Sequence, residues 1–265
     1  MKKILCVLMS CLLFVISGCS GHSKNLKFGA ADIGGVYYSF ASTFTQLADN
    51  KIDGYTFETK TTAGSVANLR LISDGYIDLA IVQADLLSDA YNATGTFADK
   101  KYQKGYKAVA SLYTECCQIV VRKDSGITGI DDLINKTVSV GASESGTEKN
   151  AEQILKMSGI TDELINKVNM DYTEAAEKLK AGEIDAFFCT AGTRTEVIGQ
   201  LSKECDIRLI SLDDKCIDKM LSAYSLCEKY TIPAGTYNGQ DSDVTTIGVK
   251  AVLIAKQSLS DDVIK

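Results

Sequence analysis

The 265-residue sequence has one histidine, His22, and it stands in the polar run Ser20–Asn25 rather than beside any apolar segment. The rest of the chain has no imidazole. That removes Ser-His and Cys-His nucleophile pairs and His-metal catalysis from the functions it can support. No C-x-x-C pair occurs, and the even spacing of Cys205, Cys216 and Cys227 has no flanking His or second thiol pair to complete a zinc site. Cys116 and Cys117 are adjacent within an apolar run, so they and Cys189 are expected as buried thiols, with no metal and no cofactor. Positive charge is also short: 28 Lys and Arg stand against 34 Asp and Glu, a net charge of -6, or -8 without Lys2 and Lys3. Nucleic acid is not expected as a partner. Gly141-Ala142-Ser143-Glu144-Ser145 is not a nucleophile elbow, because that motif needs Gly where Ser145 stands. No pair of carboxylates is singled out for acid-base work, so no catalytic residue is assigned.

At 45% hydrophobic residues, the chain can bury two cores of ordinary domain size. Lys2 and Lys3 precede the apolar run Ile4–Ile16, which is too short for a comfortable membrane span and reads as the core of a signal peptide over residues 1–18. Ile16-Ser17-Gly18-Cys19 resembles a bacterial lipobox, so Cys19 is the expected lipidation site and the first mature residue. Residues 19–25 then form a short tether, which holds the folded body near a membrane outside the cytoplasm.

The body is organised around Thr137–Leu155, which reads as a buried strand, a turn from Gly141 to Gly146, and a helix capped by Thr147. The start of such a helix offers unpaired N–H groups and the positive end of its dipole to an anion. The pattern recurs at Lys27–Phe44, with its turn ending at Gly34 and Gly35, and at Phe57–Leu71, with its turn at Gly64 and Ser65. A longer echo links Leu71–Ala80 with Lys178–Phe187. Each is a helix end, a Gly stop, Ile-Asp and an apolar strand, followed by Gln83-Ala84-Asp85 in one copy and Thr190-Ala191-Gly192 in the other. Two similar lobes with a cleft between them are predicted.

Strands are predicted at Lys27–Ala30, Thr56–Lys60, Leu79–Gln83, near Val138, at Val168–Tyr172 and at Ala186–Cys189. Helices are predicted at Val36–Ala48, Ser65–Asp74, Asp85–Tyr91, Thr147–Met157 and Thr173–Ala181, and Asn92–Gly105 reads as a surface loop. Lys107–Lys123 is long for one strand and is expected to cross between lobes, with Ile207–Leu212 returning. The implied division is 26–115 for the first lobe, 116–207 for the second and 208–265 back in the first. In open sheets of this kind ligands sit beyond the carboxyl ends of the strands, where all three turns fall.

Several stretches taken in order resemble the TAXI class of solute receptors, which serve tripartite ATP-independent periplasmic (TRAP) transporters. They are Gly34–Tyr38, Gly64–Leu71, Ile77–Asp85, Gly141-Ala142 with Ser145–Glu148, Phe187–Gly192 and Thr231–Tyr237. The resemblance implies an α/β, two-lobed type II periplasmic-binding-protein-like fold. It also implies a small carboxylate ligand, glutamate or glutamine favoured, delivered to TRAP-type membrane permease subunits. The candidate ligand contacts come from the turns and strand ends. In the first lobe they are Gly34, Gly35, Tyr37 and Tyr38, then Thr62, Gly64 and Ser65, then Gln83 and Asp85. In the second they are Ser143, Ser145, Gly146 and Thr147, then Thr190, Ala191 and Gly192. One of the two tyrosines is expected in the core. Asp32, Ser143-Glu144 and Arg194 depart from the family pattern; Asp32, Glu144 and Asp85 are read as partners for a ligand ammonium, and Arg194 as a carboxylate clamp or an exposed residue. Arg70 is expected in a structural pair. A membrane-tethered enzyme using a carboxylate or Cys189, and a binding component for an ABC importer or a sensor, stay open as alternatives. Family members continue past Ser260-Asp261-Asp262 with further helices, so truncation is expected, leaving Ile247–Ile254 incompletely covered.

Overall fold

The computed structural model describes residues 24–49, 51–99 and 104–264. The signal peptide and Cys19 lie outside the described residues. The chain alternates strand and helix: β1 (Lys24–Gly29), α1 (Val36–Asp49), β2 (Tyr55–Lys60), α2 (Ser65–Ser73), β3 (Leu79–Gln83) and α3 (Ala84–Asn92) build the first half. The long β4 (Tyr106–Arg122) follows, then β5 (Thr137–Ser139), α4 (Gly146–Met157), β6 (Asn166–Val168), α5 (Tyr172–Ala181), β7 (Ala186–Ala191), α6 (Glu196–Glu204), β8 (Ile207–Leu209), α7 (Asp214–Ala223), β9 (Cys227–Ile232), β10 (Val244–Lys256) and α8 (Asp261–Ile264).

The strands run in the order β2-β1-β3-β10-β4-β7-β5-β6, with β8 beside β4 and β9 beside β10. Parallel β2-β1-β3 form one lobe's sheet and parallel β6-β5-β7 the other's, and the antiparallel pair β4 and β10 joins them. β4 meets β10 from Tyr106 to Cys116 and β7 from Cys116 to Val121, so one unbroken strand serves both lobes. Register shifts in β10 between Lys250 and Val252 and between Leu253 and Ile254 fall on the first-lobe side of that crossing, where β10 also pairs with β3.

Among the described residues, buried side chains fall into four clusters. Each half-sheet has one on either face: α1 covers Leu26, Phe28 and Ile81, α2 and α3 cover Ala80 and Val82, α4 and α7 cover Val138 and Phe188, and α5 and α6 cover Phe187 and Cys189. Phe44 of α1 meets Phe28 edge-on at 5.5 Å and Phe57 at 6.3 Å, fixing that helix on its sheet. The Ile-Asp echo has a structural meaning. Asp78 Oδ2 accepts the Lys27 N–H at 3.0 Å, and Asp185 Oδ2 accepts the Thr137 N–H at 2.8 Å, so each Asp ties its strand to the neighbouring one in the same way.

Five expectations are corrected. β1 begins at Lys24, inside the stretch read as tether, because Lys24 already pairs with Tyr55. The residues read as a strand at Val168–Tyr172 divide: β6 ends at Val168, and Asp171 caps α5 by accepting the Glu174 N–H at 2.8 Å. Ile207–Leu212 does not return to the first lobe, since β8 pairs with Val120–Arg122; the return is made by β10, which pairs with β3. Phe97, within the stretch read as a surface loop, is fully buried against Leu86 and Ala90. Ile247–Ile254 is covered, because β10 is flanked by β3, β4 and β9, and Ile247, Val249 and Ile254 are fully buried.

Candidate functional site

The starts of four helices converge on one cavity between the lobes. Gly35, Val36 and Tyr37 come from the start of α1, Gly64 and Ser65 from α2, Ser145, Gly146 and Thr147 from α4, and Asp171 and Tyr172 from α5. Gln83, the residue before α3, with Thr190 and Ala191 at the end of β7, completes the predicted part of the lining. Each helix start carries N–H groups without intrahelical acceptors. Among the described residues no Lys or Arg lines the cavity.

Two turns are locked together beneath it by the fully buried Asn68. Its Nδ2 donates to the carbonyls of Gly29 and Ile81, and its Oδ1 accepts the Thr62 hydroxyl at 2.7 Å. Thr62 in turn accepts the Ala31 N–H at 2.9 Å, so it supports the turns and does not line the cavity. The cap of α4 is Ser145, whose Oγ accepts the Glu148 N–H, and not Thr147 as expected. Thr147 Oγ1 instead accepts the Thr190 N–H at 3.2 Å and lies 2.5 Å from the Tyr172 hydroxyl, which donates to the Thr190 carbonyl.

The lobes meet across the cleft. Gln83 Nε2 donates to Asn150 Oδ1 at 3.0 Å, the Tyr172 N–H donates to Asp32 Oδ2 at 2.7 Å, and the Ala67 N–H donates to the Glu144 carbonyl at 3.1 Å. Arg70 grips Glu144 through both carboxylate oxygens, at 2.6 and 3.3 Å. These bonds describe a closed arrangement.

The remaining expected contacts stand elsewhere. Gly34 faces Thr173 and Val197 on the outer side of its turn, Tyr38 packs on the first-lobe core, Ser143 is exposed, and Gly192 abuts Val36 and Tyr113 behind the cavity wall. Among the described residues neither Asp85 carboxylate oxygen has a hydrogen-bond partner, and burial pushes its pKa up to about 6, yet it does not line the cavity. As candidate ammonium partners the three acids stand in different places. Asp32 lines the cavity, with Oδ2 accepting the Tyr172 N–H, Glu144 is paired with Arg70 outside the lining, and Asp85 is buried outside the lining. Arg194 is exposed and is no clamp.

Sequence reading missed Glu115, Asp171 and Tyr172, all of which line the cavity. Glu115 is 2% exposed, accepts the Tyr37 hydroxyl at 2.7 Å, and is pushed up to about 8 chiefly by burial. Its signal was present: it is the sole charged residue between Lys107 and Arg122. Two further polar atoms in the lining, Gln83 Oε1 and Thr190 Oγ1, are buried without a partner. Cys189 is fully buried and its thiol is held protonated by desolvation, the opposite of a nucleophile's surroundings. Among the described residues no group of three or more His, Cys, Asp or Glu is placed to hold a metal, and no helix is long and apolar enough to cross a membrane.

Solved structures with the same fold include three binding proteins. The arginine-bound form of truncated ArgBP from T. maritima has a TM-score of 0.56 at 12% identity, over 92% of this chain and 93% of that one. The substrate binding protein of an amino acid ABC transporter has 0.54 at 15% identity, over 91% and 89%. The alkanesulfonate-binding protein SsuA from Xanthomonas axonopodis pv. citri, bound to MOPS, has 0.52 at 13% identity over 88% of this chain; the match spans 65% of that protein. The fold is the two-lobed type II periplasmic-binding-protein fold. The sequence pattern of the NMT1-like family matches residues 28–265, and the chain belongs to the NMT1-like family.

Proposed function

We propose that this chain is an extracytoplasmic solute-binding protein, anchored through a lipid on Cys19, that captures a small carboxylate and hands it to a TRAP-type membrane permease. One observation carries the reading: four helix starts line an interlobe cavity that, among the described residues, has no Lys or Arg. A carboxylate there is held by backbone N–H groups and helix dipoles. The joined strands β4 and β10 supply a hinge, and a ligand touching both lobes stabilises the closed form by the contacts it makes only there. The binding-protein fold and the protonated Cys189 favour capture over turnover.

Asp32, Glu115 and Asp171 line the same cavity, and among the described residues no Lys or Arg lines it with them, so a ligand that carries an ammonium beside its carboxylate is favoured over one carrying only negative charge. Glutamate or glutamine is therefore placed ahead of 2-oxoglutarate. The sequence likeness to TAXI receptors supports a TRAP permease. The amino acid ABC neighbour supports an ABC permease as the second reading. Uptake that collapses with the ion gradient at constant ATP supports the first; uptake that follows ATP supports the second.

The test is the mass of the small molecule released when the purified protein is denatured. An amino acid is expected, and a compound without a carboxylate would contradict the reading. Cys19→Ser is expected to abolish incorporation of labelled fatty acid, and unchanged labelling rejects the anchor.

A further inference from the structure

β4 is the strand shared by both lobes, and its one buried charge-bearing side chain opens into the cavity. Glu115 stands at the crossing, beside Cys116, the residue that pairs with both Gly248 of β10 and Ala191 of β7. It is 2% exposed and lines the cavity together with Gln83, itself 2% exposed, whose Oε1 has no donor. The two form an acceptor pair walled by helix starts that present donors. That division suits a zwitterion, with its carboxylate on the helix starts and its amine on Glu115 and Gln83.

From this placement we infer that Glu115 receives the protonated amine of the ligand and gives up its own carboxyl proton to solvent as the ligand enters. The inference rests on the carboxylate-binding reading above and names the group that selects among carboxylates.

The surroundings of Glu115 support the proton count. Tyr37 of α1 donates to it, Tyr113 and Cys116 flank it on β4, Tyr172 of α5 faces it, and Asp85 lies beyond Gln83. Each of these tyrosines and the Cys116 thiol is shifted upward and stays neutral near pH 7. Desolvation, the largest cause, and Asp85 hold the Glu115 proton against the hydrogen bonds from Tyr37 and Gln83, which favour the carboxylate, and the balance stands at about 8; Asp32 and Asp171 line the same cavity. Among the described residues no lining cation offsets this. Near neutral pH the empty site is therefore protonated at Glu115, and an ammonium at hydrogen-bond distance reverses that preference.

Linkage fixes the sign. The ligand-free protein holds one proton more than the complex, so affinity rises with pH, by about tenfold per unit well below the Glu115 pKa, and levels off above it. Calorimetry is run with L-glutamate, L-glutamine and 2-oxoglutarate on the full chain and on Glu115→Gln, in buffers of different ionisation enthalpy. Gln keeps the shape and a partner for Tyr37, and the thermal midpoint of the ligand-free variant checks its fold. Expected are release of close to one proton per bound amino acid at about pH 6.5, loss of that release in Glu115→Gln with affinity lower by about tenfold or more, and no release with 2-oxoglutarate. Amino acid binding without proton release, unchanged release in Glu115→Gln, or tighter binding of 2-oxoglutarate overturns the inference and leaves the carboxylate reading standing. Failure of all three probes to bind overturns both.

Discussion

A Cβ added to Gly146 of α4 would lie 2.5 Å from the side-chain amide of Gln83 in the other lobe, and that amide is tied to Asn150. Gly64 makes the matching approach from the first lobe: it has φ +128, and its added Cβ would lie 3.3 Å from Cα of Ser145. The two helix starts close on each other because both lack side chains there.

Gly64→Ala and Gly146→Ala are accordingly expected to weaken ligand binding by about tenfold or more, through strain at Gly64 and the displaced Gln83 at Gly146. Gly159 is the control, with φ +81 and nothing within 4 Å of an added Cβ, so Ala there strains the fold without touching the cleft. Calorimetry with L-glutamate reads the difference. Equal losses at all three positions would contradict the cradle.

Arg70 and Glu144 clamp the mouth, but both side chains are about a third exposed or more, at 34% and 40%. Such a pair contributes at most about 1 kcal/mol and is screened by salt. Arg70→Gln is expected to lower affinity by no more than about fivefold in low salt, with the loss shrinking as salt is added. A salt-independent loss of about a hundredfold would instead mean that Arg70 touches the ligand.

Asp85 is a stability cost at neutral pH. Desolvation raises its folded-state pKa from 3.8 to about 6, so between those values the native protein binds more protons than the unfolded chain, and stability falls as pH rises through that window. Asp85→Asn is expected to stabilise the ligand-free protein at pH 7 by roughly 2–3 kcal/mol, with the advantage gone below about pH 4. Thermal melts across that range decide it. A variant less stable than the parent at pH 7 would show that the carboxylate is held by partners.

The buried thiols of Cys116, Cys117 and Cys227 are pushed up to about 12, and Cys189 is raised too, while Cys205 is partly exposed. Among these, iodoacetamide at neutral pH is expected to label Cys205 first in the native protein. Rapid alkylation of Cys189 would revive a thiol enzyme.

Much of the fold could be read in the sequence because its signals are local. Leu79–Gln83 and Ala186–Ala191 are continuous apolar strands after Gly stops, and Ile77-Asp78 and Ile184-Asp185 repeat one tie between strands. Strand pairing is not local. Ile207–Leu209 looks the same beside either lobe, and only the register with Val120–Arg122 decides which. The site divides in the same way. Gly64, Ser65 and Gly146 are marked by the backbone they require, whereas Glu115 stood unremarked inside Tyr106–Arg122, where an isolated carboxylate is the cue. Tyr172 falls at the end of the stretch predicted as a strand, although Asp171 and Glu174 have the spacing of a helix cap. Asp85 shows the opposite error. It is expected at the end of a strand that points to the cleft, but it stands in the first turn of α3 and does not line the cavity.

The most direct test of the central claim follows backbone amides by nitrogen–proton correlation spectroscopy during titration with L-glutamate and with L-glutamine. If a carboxylate is held by helix starts, the amides of Ser65, Gly146 and Thr147 shift downfield together and saturate at one concentration. Saturable binding that leaves those amides unmoved, with shifts confined to the outer groove around Ile33, Thr173 and Val197, would contradict it.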